Sequence, residues 1–524
     1  MTTESRTCIL GGEIARRSWL GLPRPVLVAW AVTIGTAVAI YVLGGGNAWA
    51  IGTAITVLIV VFAATMEWRN KPSWAARQAH TSRVWIRRRR GEHIFRHIDD
   101  PCFGDLERDP GWAMPPPLGR TAPLQVDGTG LDDMFILRHA NPGERPAYSV
   151  ILAVEGVADG LRGDTAYAAS SAAFGMFLAQ LARSSSHIRG LQLLHRSVPH
   201  DMTQHTHWAQ SRVAGLTDAR LTPAVESYGA LIDLVSPLSE EHRSFVVLRI
   251  PQTESFMAES ARLARIKQAC ILAAAAQLVR DETERATRLL ALAGMGRIDV
   301  LGERRACAVI RAFLDPTFKI DRHRDASWAT CWPSYIGGRD SVAVGADGRW
   351  RTRVGYIRPR SIEPIPLGPL WLAPLLTGVE ADPGDDDTAP MPTIRTVSVR
   401  LDFVPAHRAR AAARGDFTAD LARKAKEAKR GKLDDGSTQV LTSASDRRRN
   451  DLVPGSGHHG VIYAAAIAVT GRDDDDLDRA CLRVTEAANE SAITEIDWTQ
   501  ADHDVAVFAT LPLARGLAAT PYTK

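Results

Sequence analysis

The densest group of possible metal ligands is "HDMTQHTHW", which brings His200, Asp201, His205 and His207 together. Imidazole nitrogens and a carboxylate form the donor set of a zinc site. The segment opens a connection between predicted elements, and nothing assures a helical H-x-x-x-H pair, so solvated loop histidines are expected. "PGSGHHG" sets Ser456 beside His458 and His459, but a nucleophile elbow needs G-x-S-x-G at a strand-to-helix turn. Here the chain runs from loop into strand, which reads as a turn. The same stretch supplies a G-x-G-x-x-G at Gly455, Gly457 and Gly460 that leads into a strand. A dinucleotide site requires a strand before it and a helix after.

Three other patterns fare no better. The only Gly–Lys pair, Gly431–Lys432, is followed by Leu433, so no phosphate-binding loop is present. "RDDDDLD" (residues 472–478) lacks the Gly and terminal Glu of a calcium loop, and acidic residues at a helix start cap N–H groups and favour the macrodipole. Residues 406–432 form the most basic stretch after the N-terminal region, interrupted by Asp416, Asp420 and Glu427, with an i,i+4 pairing such as Asp420–Lys424 available. A solvated helix face is preferred to a DNA-contact surface, which would also want polar or aromatic readers. No catalytic residue, cofactor site or metal site is therefore assigned. Neither enzymatic activity nor direct nucleic-acid binding is expected.

The elements that carry these residues begin with two uncharged runs, residues 26–43 and 48–66, separated by "GGGN". Each approaches the ~20 apolar residues needed to cross a bilayer. Trp49 and Trp68 sit where interfacial aromatics are expected. A cleavable signal peptide would have a shorter apolar core and no second run behind it. Arg16, Arg17 and Arg24 precede the first run. Arg69, Lys71, Arg77, Arg83 and the block Arg87, Arg88, Arg89 and Arg90 follow the second, while the turn is uncharged. The positive-inside rule puts both flanks, and both termini, in the cytoplasm. The expectation is a two-pass cytoplasmic-membrane protein. Its Arg87–Arg90 block would lie on anionic headgroups.

With 524 residues, 45% hydrophobic and 23% charged, the chain has the composition of an ordinary folded protein. A net charge of +4 is too small to argue for nucleic acid by itself. Six scattered cysteines without C-x-x-C fit a reducing compartment. The expected organisation is a cytoplasmic tail (1–24), a transmembrane hairpin (25–67), a basic juxtamembrane helix and Pro/Gly linker (68–120), and two α+β regions (121–330 and 331–524). Strands are expected at 148–155, 188–197, 245–250, 396–403, 459–469 and 504–511. Helices are expected at 164–182, 258–288, 303–314, 406–432 and 474–489, and a hairpin at 341–357 turns at Asp347–Gly348. The fold class is α+β. Strand–helix–strand occurs twice, roughly 300 residues apart, implying two related layers and not one parallel sheet.

"RRRRGEHIF", "YSVILAVEG", "FLDP", "GYIRPRSIEPIPLGPLWLAPLL", "IRTVSVRLDFVP", "HHGVIYAAAIAVTG" and "FATLPLARGL" follow one another in that order. This series resembles actinobacterial membrane proteins encoded with conjugative elements and type IV secretion-like machinery. In that family a PrgI-like two-span anchor precedes a region similar to the N-terminal, non-motor domain of VirB/TraC-type traffic ATPases. The resemblance covers about residues 25–517 and rests on hydrophobic and structural signatures. In the traffic ATPases a strand ending like "ATLP" leads to a RecA-like motor, which this sequence does not go on to supply. The resemblance thus implies a scaffold that docks a separate traffic ATPase beside other secretion-channel membrane proteins and membrane lipid, with homo-oligomers possible and no cofactor. It carries over no catalytic residue. A type VII-like secretion component and a membrane-tethered metal-dependent hydrolase using the histidine cluster are the alternatives.

Overall fold

A computed structural model describes residues 10, 24–65, 74–97, 111–125, 134–156, 163–214, 219–320, 326–345, 348–384, 390–429 and 437–516. Arg16, Arg17, Trp68, Arg69, Lys71 and Asp347 lie outside the described residues. The chain forms two compact units, Glu13–Glu92 and a larger one made of Met1–Gly12 with His93–Lys524.

The smaller unit contains helices Arg24–Leu43, Ala48–Thr65 and Trp74–Arg89. The first two are antiparallel: Trp30 Nε1 donates to Thr65 Oγ1 at 3.2 Å, and its ring meets Phe62 edge-on. The glycine triplet has a steric cause. Gly45 and Gly46 adopt left-handed φ values of 63° and 70°, and a Cβ on Gly44 would lie 2.4 Å from the Ala50 methyl. Ala48–Thr65 is long and apolar enough to cross a membrane. The apolar part of the first helix, Ala29–Leu43, is shorter.

The larger unit is mixed α and β around one thirteen-stranded sheet. Its strands are β1 (Ile94–Phe95), β2 (Thr121–Pro123), β3 (Ile136–His139), β4 (Ala147–Val154), β5 (Gly190–Pro199), β6 (Glu240–Pro251), β7 (Ile298–Val300), β8 (Tyr335–Gly337), β9 (Val342–Val344), β10 (Trp350–Ile357), β11 (Ile394–Val404), β12 (Gly460–Gly471) and β13 (Asp497–Trp498). They run in the order β1-β8-β9-β10-β12-β11-β5-β6-β4-β3-β2, with β13 added on β10 and β7 on β4. Every pairing between these strands is antiparallel.

That order has an internal two-fold logic. The chain makes β4, a helix, β5, a helical hairpin, β6, two helices, and then β7 returning to β4. It then makes β10, a short helix, β11, a helical hairpin, β12, helix, and β13 returning to β10. Val198–Pro199 closes β5 before the first hairpin, and Val404–Pro405 leads from β11 into the second. Equating these Val-Pro pairs makes Leu193 the counterpart of Val399, and those two residues are direct partners across the central β5–β11 ladder. The pseudo-dyad passes through that pair. The helix after each third strand is capped alike: Thr253 accepts from Phe256 N at 3.2 Å, and Asp473 from Asp476 N at 2.8 Å.

The period-two alternation of the strands sorts their side chains to two faces. One face is common property. Phe245, Val247 and Ile151 of the first half join Val354 and Ala468 of the second beneath helix Glu303–Leu314, the Trp332 loop and residues 506–514. On the other face each half keeps its own core. Leu191, Val246, Leu248 and Ile250 pack under helices Asp164–Leu181 and Ile271–Leu292, while Val397, Ile467 and Val469 pack under Asp474–Glu490.

The structure corrects three expectations. The single helix 258–288 is two, Glu254–Lys267 and Ile271–Leu292, because Gln268 turns left-handed (φ 49°) and Cys270 caps the second. Residues 504–511 form no strand. They make helical turns His503–Ala506 and Val507–Ala509, laid on the common face where Ala506 and Ala509 permit close approach. The strand–helix–strand repeat is not 300 residues apart in separate layers. It is spaced about 205 residues, as the Val-Pro pairs are, and both copies share one sheet.

Candidate functional site

Polar side chains at the pseudo-dyad are used to lock the sheet. Gln192, fully buried, donates to the Ala509 and Leu511 carbonyls at 3.0 Å and accepts from Ala514 N at 2.6 Å. Ser398 donates to the same Ala509 oxygen at 2.8 Å. These bonds satisfy the backbone of the C-terminal turns, which would otherwise be orphaned in the core. Arg196 reaches Thr396 and the Ala312 carbonyl, both at 2.8 Å, over the Phe313 ring. Burial lowers its pKa to about 9. Arg395, 1% exposed, ties the Leu375 and Leu376 carbonyls to the Glu240 carboxylate. Nearby, His195 stacks on His242 with nitrogens 3.3 Å apart, and burial, then His242, lower the His195 pKa to about 4.

The two inserted hairpins leave the sheet at opposite ends, because β5 and β11 run antiparallel. The first comprises helices Thr203–Val213 and Thr222–Val235. His205 Nε2 pairs with Tyr228 Oη at 2.7 Å and its ring stacks on Trp208, so this histidine clips the two helices together. Helix Thr222–Val235 buries none of its residues, and Trp208, Leu231, Val235 and Leu238 are exposed, with Leu234 71% exposed.

The second hairpin comprises Ala406–Lys429 and Ser437–Asp451. Small residues let it sit close to the sheet: Ala409, Ala413 and Leu452 form its core, and a Cβ on Gly460 would meet the Ala409 methyl at 2.6 Å. Arg448 bonds Asp416 at 3.1 Å across the hairpin. Arg410 and Arg414, one turn apart, face Arg449, Asn450, Leu452, Val453 and Pro454 around a cleft of about 260 Å³. Arg449 lies 4.3 Å over Phe417 and 2.7 Å from Asp446; Arg414 is exposed. The field here is cationic. Burial, with Arg183, His458 and Arg410 nearby, lowers the His459 pKa.

The other sequence candidates separate. His200 is 4.0 Å from Glu241, and His207 is exposed on its helix. Among the described residues no three potential ligands converge on a metal position. Ser456 Oγ accepts from His458 N at 3.3 Å in a turn where Gly455 and Gly457 are left-handed. The "RDDDDLD" carboxylates cap and pair: burial works to raise Asp476, but its bonds from Arg472 outweigh that and hold it low, and Arg472 also bridges to Asp382 at 2.8 Å. Arg87 and Arg90 each lie 3.6 Å from Glu92, and Arg89 stacks on Trp85. Arg87–Arg89 form the last turn of helix Trp74–Arg89, where cations suit the carbonyl end of the dipole.

Sequence reasoning missed the Arg449 side of the cleft, since only the antiparallel return of the second helix brings it to Arg410. It also missed Arg395 as a buried clamp, for which "IRTVSVRLDF" gives no signal beyond a cation at an inward register position. Compared with known protein families and with curated proteins, the chain matches no family model and no curated sequence.

Proposed function

We propose that this chain is a two-pass cytoplasmic-membrane scaffold in a conjugative, type IV secretion-like apparatus. Its sheet unit docks a separate VirB/TraC-type traffic ATPase and performs no catalysis itself. The observation that carries the topology is the path of the chain. Leu10 packs on the sheet unit, where Tyr463 Oη donates to its carbonyl at 2.9 Å, and Ile94–Phe95 pairs with β8 of the same unit. A chain that leaves and rejoins one body crosses a bilayer an even number of times. If Ala48–Thr65 crosses, Arg24–Leu43 crosses back, and its 20 residues reach about 30 Å as a helix. The flanking arginines support a cytoplasmic sheet unit, with Gly44–Asn47 outside.

The scaffold part of the reading is supported by the first hairpin, where exposed Leu231 and Leu234 on a helix with no buried residue, followed by exposed Leu238 in the turn Ser236–Leu238, offer an apolar ridge of the helix-in-groove kind. Co-purification of the full detergent-extracted chain with a co-expressed traffic ATPase tests it. Stoichiometric recovery, lost on Leu231→Asp/Leu234→Asp, is expected; no recovery with the wild-type chain contradicts the reading.

A further inference from the structure

We infer that the cleft of the second hairpin binds the phosphate backbone of a nucleic acid. This goes beyond the scaffold reading and stands without it, since motor docking was placed on the other hairpin. The sequence alone favoured a solvated helix face for residues 406–432. The folded arrangement changes the weighing in three ways.

First, the cations converge. Arg410 and Arg414 from one helix and Arg449 and Asn450 from the other surround a single concavity. A solvated face spreads its charges apart, whereas guanidinium groups gathered around a hollow match the oxygens of a phosphate. Second, a helical hairpin at this place in the fold does not need so much positive charge. The first hairpin occupies the dyad-related position with Arg212 and Arg220 as its described arginines, yet it forms the same pair of helices. Third, the cations continue beyond the cleft along Ala406–Lys429 through Arg423, Lys424, Lys426 and Lys429. That helix is about 36 Å long, a track for roughly ten base pairs.

The chemistry selects among polyanions. A helix that lies in a lipid surface presents an apolar face to the acyl chains. Among the described residues on the two helices of this hairpin, Leu421 is the one large apolar side chain that is exposed. A phosphodiester backbone asks only for cations and donors, and Asn450 adds a neutral donor at the rim. No aromatic side chain lines the cleft, so contact is with the backbone and is indifferent to sequence.

The test is fluorescence anisotropy of a fluorescein-labelled 20-base-pair DNA duplex with the full-length chain in non-ionic detergent, from 50 to 300 mM salt. The wild-type chain binds, with affinity falling steeply as salt rises. Arg410→Gln/Arg414→Gln/Arg449→Gln binds at least tenfold more weakly at 100 mM salt, and its log–log salt slope is shallower by about 2 to 3. Arg414→Gln alone, at an exposed position, shows the same trend in a variant whose melting is unchanged. Arg212→Gln on the first hairpin leaves binding intact. Absence of binding at 50 mM salt, or an equal loss in Arg212→Gln, overturns the inference. So does calorimetric binding of dihexanoyl phosphatidylserine that vanishes in the triple variant while duplex binding persists, because it assigns the cleft to lipid headgroups.

Discussion

Between Pro199 and Glu240 the first half of the sheet inserts a pair of helices; between Val404 and Gly460 the second half inserts another in the dyad-related place. The first pair presents Trp208, Leu231, Leu234 and Leu238 to solvent, whereas the second presents arginine around a cleft, with lysine further along its first helix, and buries alanine against Gly460. The strands that carry them are far more alike: both halves run long antiparallel strands with matched caps, and they share the core above the Leu193–Val399 pair. A frame constrained on both faces by packing has little freedom to vary. Insertions that bury little against it are free to take on opposite chemistries, and that is where partner recognition belongs.

If frame and hairpins are separable in this way, damage to the frame must fell both hairpins together. Trp332, fully buried between Trp328 and Phe508, belongs to the core that the two halves share. Trp332→Ala is expected to cost about 3–5 kcal/mol, read as a large drop in melting temperature with simultaneous loss of motor and DNA binding. Retention of either activity at full strength would show that the halves are independent.

A smaller effect is expected at the clamp between the halves. Arg395→Met strands the Glu240 carboxylate and takes the guanidinium from the Leu375 carbonyl, while Leu376 keeps its bond from Ser197, at a cost of about 3 kcal/mol in chemical denaturation. Glu240 opens β6 at the foot of the first hairpin, so that hairpin is expected to gain amide exchange before the second does.

Acid probes the frame more gently. Burial first, then neighbouring arginines, lower the His139 pKa to about 3, and burial first, then Arg353, lowers that of His503 to about 4. Both are neutral when folded, and His503 Nδ1 accepts from Val354 N at 3.1 Å. Between pH 6.5 and these values the unfolded chain binds more protons. Stability is therefore complete above about 6.5 and declines as pH falls, by about 2 kcal/mol for each histidine at pH 5. Denaturant midpoints at pH 7 and pH 5 check it, and His139→Gln should flatten the slope.

The smallest effects sharpen the contrast from the other side. Arg414→Gln and Leu234→Ser are expected to shift stability by no more than about 0.5 kcal/mol, since both side chains are exposed. A larger loss in either would mean that its hairpin supports the frame.

Most strands and helices were legible from alternation and helical spacing: 303–314 appears in the structure with those bounds, and 474–489 is one residue longer. The duplication was half visible. Two strand–helix–strand stretches stand out in the sequence, but the pair about 300 residues apart is not the related one, and the Val-Pro markers of the true repeat are only two residues each. Residues 504–511 misled because alternating small and large apolar residues suit a helical turn on a sheet as well as a strand. The basic cleft was out of reach, since Arg410 and Arg449 meet only through the hairpin's return, a long-range event that no local spacing encodes.

The account as a whole depends on the sheet unit facing the cytoplasm from a hairpin that crosses twice. The most direct measurement is labelling of intact cells with a membrane-impermeant maleimide, comparing Asn47→Cys in a background with Cys8, Cys102 and Cys270 replaced by Ser against the native exposed Cys270 alone. Labelling of Asn47→Cys in intact cells, with Cys270 reacting only after permeabilisation, is the predicted result. Labelling of Cys270 in intact cells, or of neither site until the cells are opened, would contradict it.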